Sequence, residues 1–537
     1  MRTRLAALAL AVALAPAPAL AQSPAATPRA AEPAPIRDLR IDPLTFASAV
    51  EYRHIIATLG PRLFPGWDAH SVPMLLYRPR VQEVLLGARR RPPGFARYAG
   101  PSPFGAEPVW ARNDSTVMDI DGQNTRTQLD SAEVLVVADR WSRAREQLRG
   151  MLSRPAPLAN EWLDRWNFIP SPYDEVEIML HEAFHVHQFR LAPAKGADEG
   201  GIARYPLLSP ANNALFSIEG LVLRDALRSR DPAVRRAKAR AFVAVRLERR
   251  AALDTGSAGY EDLNEYTEGL GRYVEWRFLQ LGETLTPTPG MFQQAGFTGY
   301  GDVLRRRFER QLDDMVKLTA NSDDRFGNRF GGGPLRFRLY VLGAAQGLLL
   351  DDLAPAWKRH IFEPGASLTG LLAAAVAMSE AERRALLDTT LRAYGHAAAL
   401  TTAQAFEREG RAAIQRKVDA IVQTTRTLVQ VRYAAAGDRL GMGYTPFGVT
   451  AVTSQSAIYD LVPVALRFGN RVLLQMKSVI PLLLDRGAHT VTFAVDSPPA
   501  AIAEAVARGI DVAEFSLGAA PGATAQVEGN RVTITFP

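Results

Sequence analysis

The sequence predicts an α+β protein. It has a mixed α/β N-terminal part over 36–170, a mainly helical domain over 171–436 and a β-rich C-terminal domain over 437–537. Three observations carry this. From Ser171 to about residue 430, apolar residues recur at helical spacing. After that, short runs of β-branched and aromatic residues alternate with Gly, Pro, Asp and Asn. Before it, strand-like runs sit between turn residues. At 537 residues, the chain is long enough for a large core divided among two or three domains.

The first residues read as a secretory signal over 1–21. Arg2 and Arg4 precede an apolar stretch over 5–14, and Ala19-Leu20-Ala21 forms a small-x-small cleavage site before Gln22. That stretch is too short to span a bilayer, and no later segment has the necessary apolar length. An Ala/Pro-rich leader follows over 22–35. The expectation is an exported protein, periplasmic or secreted, with no integral membrane span.

In the mixed part, 74–77 and 81–86 read as strands around a turn at Pro79, and 134–137 as a third. Asp119, Asp121 and Asn124 lack the final bidentate Glu of a calcium loop and read as a polar turn. Ser171-Pro172 is a helix start, with Ser as N-cap and Pro in the first turn. That helix extends to about residue 189. Further helices are expected at 213–228, 233–253, 260–281, 303–319, 337–350, 368–376, 380–394 and 401–431. In the last part, 447–461, 472–476, 490–495 and 532–536 favour strands, with a short helix at 500–508.

Composition narrows the chemistry. The chain has no cysteine, which excludes disulfides and thiolate metal sites. Any metal must therefore be held by His, Asp and Glu. The net charge is +7, with arginine clusters at 89–91 and 305–307. No recognition motif accompanies them, so they read as helix-solvating charge and nucleic acid is not an expected partner.

His181-Glu182-Ala183-Phe184-His185 is a complete H-E-x-x-H. Residues four apart on a helix share a face, so the two imidazoles can grip one Zn2+ ion. Glu182 stands beside them as the base that takes a proton from water at the ion. Three of the eight histidines lie within 181–187. His187 follows His185 by two, points to nearly the opposite face and reads as a core or surface hydrogen-bonding residue. A catalytic zinc needs a third protein ligand. Glu219 is one candidate: its helical neighbours Leu215, Phe216, Val222 and Leu223 are all apolar, and a carboxylate there is costly unless paired or metal-bound.

The other candidate comes from a resemblance. Glu268-Gly269-Leu270-Gly271-Arg272-Tyr273-Val274-Glu275 resembles the E-G-[FL]-A-x-Y-[VL]-E segment of gluzincin metallopeptidases. The resemblance covers 171–281 and implies a zincin-like catalytic domain with Glu268 as third zinc ligand. In that family the Glu follows the second His by about twenty residues; here an intervening helical hairpin over 213–253 is required. The small residues after Glu268 would let two helices approach closely. Glu265, one turn earlier, is a candidate to orient a ligating histidine. The metzincin continuation is absent, because Gln188 and Leu191 stand where Gly and His would be needed.

Tyr340 is a candidate oxyanion donor, with His360, Tyr273 and Arg272 as alternatives. The loop Gly331-Gly332-Gly333 could form a hinge or rim; it lacks the ending of a phosphate loop. The resulting expectation is a zinc-dependent hydrolase, a metallopeptidase acting on a peptide or protein, with the mixed N-terminal part supplying a strand beside the substrate cleft. Two classes stand as alternatives: a zinc amidohydrolase acting on cell-wall or small-molecule amides, and a non-catalytic zincin-fold binding protein of the envelope. The intact Glu182 argues against a pure binder, and no G-x-S-x-G is present for a serine hydrolase.

Overall fold

A computed structural model describes residues 33–536 apart from 103, 106, 115–121, 123, 131, 152–169, 197, 324–327, 434–439, 462, 469–471 and 520–521. The signal segment, most of the leader, Asp119 and Asp121 of the polar turn, and the 436/437 boundary lie outside the described residues. The fold is α+β, with a helical middle and a strand-rich C-terminal region. Among the described residues no helix is long and apolar enough to cross a membrane.

The chain forms two compact units that alternate along the sequence. The first comprises Met1–Gly196, Tyr266–Leu312 and Pro355–Ala366; the second comprises Ala197–Glu265, Asp313–Ala354 and Ser367–Pro537. The helical stretch expected as one domain is thus shared between them.

The first unit contains a six-stranded sheet. In chain order its strands are β1 (Met74–Arg78), β2 (Gln82–Leu86), β3 (Ala96–Arg97), β4 (Val109–Arg112), β5 (Thr125–Leu129) and β6 (Ala132–Ala138), arranged β3-β4-β2-β1-β6-β5. Only the β1–β6 pair is parallel. Strand alternation places Leu75, Tyr77, Leu85, Val134 and Val136 in one cluster with Phe95, while Met74, Leu76, Leu135 and Val137 are equally buried on the other face. Burial on both faces is why β1 and β6 read as continuous apolar runs. The same unit contains the entry helix Pro43–Leu63, which the sequence reading left unassigned, and the motif helix Pro172–Leu191.

Several helices share one start. Asp42-Pro43, Ser171-Pro172, Ser209-Pro210 and Asp231-Pro232 each place a side-chain oxygen on an orphan N–H and a ring with helical φ in the first turn. In the second unit, the helix Gly332–Leu353 is buried at every residue through Leu350, so it is apolar nearly all round. A Cβ on Gly332 would stand 2.2 Å from Ile202 Cδ1 and 2.5 Å from the Pro446 carbonyl oxygen. The glycines there serve close packing at a helix start, which corrects their reading as a hinge or rim.

Three elements depart from expectation. The helix expected to end at 431 stops at Val422, and Thr427–Arg432 pairs as a strand between Thr490–Val495 and Arg531–Thr535. Thr-Leu-Val-Gln-Val-Arg alternates with period two, and tertiary pairing overrides the helical pattern before it. The expected strand at 447–461 is a short hairpin, Val449–Ala451 with Ser456–Tyr459. The expected continuous helix at 260–281 is an α-helix Thr255–Asn264, a π turn Glu265–Gly269 and a second α-helix Leu270–Leu281. That π turn bears on the site.

Candidate metal centre

The motif helix is buried at every residue from Glu175 to Gln188. It packs against the entry helix, β5, β6 and the helix Leu270–Leu281. Ser171 Oγ accepts from the Asp174 N–H, and Asp174 and Glu175 lie in the positive first turn. Two of its buried carboxylates have arginine partners: Glu175 pairs with Arg143 at 3.0 Å, and Glu177 with Arg307 at 2.7 Å. This cage of aligned contacts presents one face of the helix, with His181 and His185, to Leu270–Leu281.

Glu268 comes from the π turn that precedes that helix. Its Oε2 lies 3.2 Å from His181 Nε2 and 3.5 Å from His185 Nε2. All three ligand atoms lie within 4.8 Å of one another, and all three residues are buried. A tetrahedral ion with bonds of ~2.0–2.1 Å spaces its ligand atoms about 3.3 Å apart. The two His–Glu separations match that edge, so these residues form a buried group that could bind a metal ion. Glu182 is buried beside them, and it makes no side-chain hydrogen bond among the described residues.

The outer imidazole nitrogens are engaged. His181 Nδ1 lies 2.6 Å from Glu275 Oε1, and Arg272 pairs with the other oxygen of Glu275. His185 Nδ1 lies 2.8 Å from Gln188 Oε1. Each ring therefore turns its Nε2 toward Glu268. Burial alone would lower the pKa of His181, but hydrogen bonds and charges from Glu268 and Glu275 outweigh it and push it up to about 10. Burial raises the carboxyl pKa of Glu182 above the usual range, with His185 and His181 acting against the rise.

Close approach of the two helices depends on Gly271. A Cβ there would stand 2.7 Å from His181 Cε1 and 2.8 Å from its Nε2. Glu275 holds one nitrogen of the ring and Glu268 faces the other, so displacing the ring disturbs both contacts. Gly271→Ala is expected to lower divalent-metal affinity by roughly 10–100-fold, the range for disturbing a ligand's support. It should also lower the melting temperature of the metal-free protein, because overpacking against the ring costs about 1–3 kcal/mol and exceeds the gain of about 1 kcal/mol in helix propensity. A chelator-competition titration beside a thermal melt checks both.

Glu268 is thus brought to His181 and His185, and the other candidates are not. Glu219, fully buried, receives Arg246 Nη1 at 2.7 Å and Arg249 Nε at 2.6 Å. Its apolar surroundings are compensated by two guanidinium groups, which removes it as a ligand. Glu265 is held by Arg246 and by Gln346 Nε2 at 2.8 Å, and it is Glu275 that contacts an imidazole of the group, that of His181. An α-helix would put residues three apart on one face, whereas the wider π turn separates Glu265 from Glu268. Tyr340 belongs to the second unit, where its hydroxyl accepts from Arg336 Nη2 at 2.9 Å. Of the alternatives, His360 is exposed beside Glu363, Tyr273 packs on Phe64 and Trp357, and Arg272 is committed to Glu275. His187 sits among Phe64, Phe184 and Phe362 with its Nδ1 unpartnered, and burial lowers its pKa to about 4.

Glu275, Gln188 and Gly271 were not singled out as site residues from the sequence. Glu275 had a signal, since it closes the segment that Glu268 opens, two helical turns later. No family model, curated protein or solved structure matches the chain.

Proposed function

We propose that the chain is an exported zinc-dependent hydrolase, most specifically a metallopeptidase, with zinc held by His181, His185 and Glu268. The observation that carries this reading is the placement of the Glu268 oxygen at tetrahedral-edge spacing from both imidazole Nε2 atoms, beside a buried Glu182. Two imidazole nitrogens and one carboxylate oxygen favour zinc over the hard cations calcium and magnesium, which take oxygen ligands. Three protein ligands leave one position for water or substrate. Zinc there supplies a Lewis acid that activates water and polarises a carbonyl.

The protein's own groups supply the rest. Glu182 takes the proton of the attacking water on its carboxylate and returns it to the leaving nitrogen. Burial lifts its pKa toward the working range, where a carboxyl group both accepts and releases a proton readily. Glu275 and Gln188 hold the imidazoles, and the dry surroundings strengthen each interaction. An extended peptide suits the neighbourhood, because β5 is the edge strand of its sheet and packs on the motif helix. Arg126 of β5 lies over the Phe189 ring at 3.7 Å. A peptide can add to such an edge through backbone hydrogen bonds. Export is part of the proposal and rests on the N-terminal charge and apolar pattern.

Elemental analysis of the purified protein, with cleavage of a mixed peptide library before and after chelation, tests the reading. Expected are one zinc per chain, cleavage abolished by chelation and cleavage restored by added zinc. Absence of bound metal, or cleavage that survives its removal, would overturn it.

A further inference from the structure

Gln188 lies three residues beyond His185 and is 1% exposed. Its two amide atoms reach in different directions. Nε2 donates to the Tyr266 carbonyl oxygen at 2.7 Å, and Oε1 faces His185 Nδ1 at 2.8 Å. A backbone carbonyl only accepts, so the atom facing Tyr266 must be the NH2 group and the atom facing His185 must be the oxygen. An amide oxygen also only accepts. His185 Nδ1 must therefore carry a proton, which in the neutral ring leaves the Nε2 lone pair directed at Glu268. One fixed carbonyl thus determines the amide orientation, and the amide determines the imidazole tautomer.

Tyr266 gives this chain a second meaning. It belongs to the π turn Glu265–Gly269, two residues before Glu268. The same amide that orients one ligand also ties down the backbone of the turn that delivers another. A π turn leaves irregular backbone hydrogen bonding, and an external donor to its carbonyl fixes it. Within the first unit, the two imidazoles are held by groups of different charge: His181 by the Glu275 carboxylate and His185 by a neutral amide.

We infer that Gln188 is a positioning residue of the metal centre, setting the tautomer of His185 and the placement of Glu268 through the Tyr266 carbonyl. The inference rests on the metal-site reading proposed above and extends it to a residue outside the ligand set. An amide here adds no negative charge. Glu268, Glu275 and Glu182 already bring three carboxylates to the two imidazoles, and Arg272 offsets Glu275. A carboxylate in place of Gln188 would still accept from His185 but could not donate to Tyr266 while ionised. The two halves of the role can therefore be separated by substitution.

The test uses the full chain as purified, zinc chloride in competition with a chelator, and the visible spectrum after cobalt loading. Gln188→Leu removes both hydrogen bonds at similar size. It is expected to weaken zinc binding by roughly 10–100-fold and to alter the cobalt ligand-field bands. Gln188→Glu restores the acceptor for His185 and should recover part of the loss, while the broken Tyr266 link keeps it below the parent protein. Thermal melts of the metal-free variants identify any that fail to fold. For these, 15N-histidine spectra of the parent protein decide the point by showing whether His185 is protonated at Nδ1. Parent-level zinc affinity and unchanged cobalt bands in Gln188→Leu would overturn the role of Gln188. So would His185 protonated at Nε2 with Nδ1 bare in the parent protein. A parent protein that binds neither zinc nor cobalt would instead overturn the metal-site reading itself.

Discussion

Glu182→Gln is expected to keep its metal and lose hydrolysis by on the order of 10²–10⁴-fold, the range for removing a positioned acid–base group. Glu182 is not one of the three ligand residues, so zinc content should stay at the parent level. Gln keeps the shape and loses only the ability to hold the proton of water. Stability should not fall with it. Burial raises the folded-state pKa of Glu182 above its unfolded value. Such a carboxyl contributes stability that is present below the unfolded pKa and lost as pH rises through the folded one. At any pH that ionises the group in the folded protein it is an unfavourable buried charge, and a neutral amide relieves it. The metal-free variant should melt at or above the parent temperature at pH 8. Turnover, zinc content and a thermal melt on one preparation check all three statements. Undiminished cleavage would remove Glu182 as the base.

How much of this could be read from the chain depends on how local each feature is. The start of the motif helix was legible because Ser171, Pro172 and Asp174 act within one turn. His181, Glu182 and His185 were legible because helix geometry alone puts the imidazoles on one face. Glu268 was legible by resemblance, but its presentation was not. A π turn differs from an α-helix by the placement of a single residue, and apolar periodicity does not resolve that. Hence Glu265 was assigned to the wrong partner. The strand Thr427–Arg432 was hidden for a related reason, since it follows a long helix and its pairing partners lie about sixty to a hundred residues further on. Gln188 gave no signal of its own, because a glutamine on a helix is ordinary until Tyr266 and His185 are seen on either side of it.

Glu219 shows the reverse error, a correct physical premise with an incomplete partner list. An isolated carboxylate on an apolar face does demand compensation. The compensation comes from Arg246 and Arg249, one helical turn apart in an arginine-rich stretch whose charges resemble a solvated face. The two glutamates should consequently fail in opposite ways. Glu268→Ala removes a ligand atom, so zinc affinity should fall by more than 100-fold, beyond the loss seen when only a ligand's support is removed. Its metal-free protein should remain folded. Glu219→Ala leaves two buried guanidinium groups without their shared anion. Breaking a buried pair in this way costs about 3–5 kcal/mol. Chemical denaturation of the metal-free protein should show that loss as an earlier midpoint, while the folded fraction still binds one zinc with parent affinity. Arg249 retains Glu261 at 2.6 Å, and Arg246 retains Glu265, so the cluster should weaken without collapsing. If Glu219→Ala released the metal at unchanged stability and Glu268→Ala retained it, the ligand assignment would have to be exchanged.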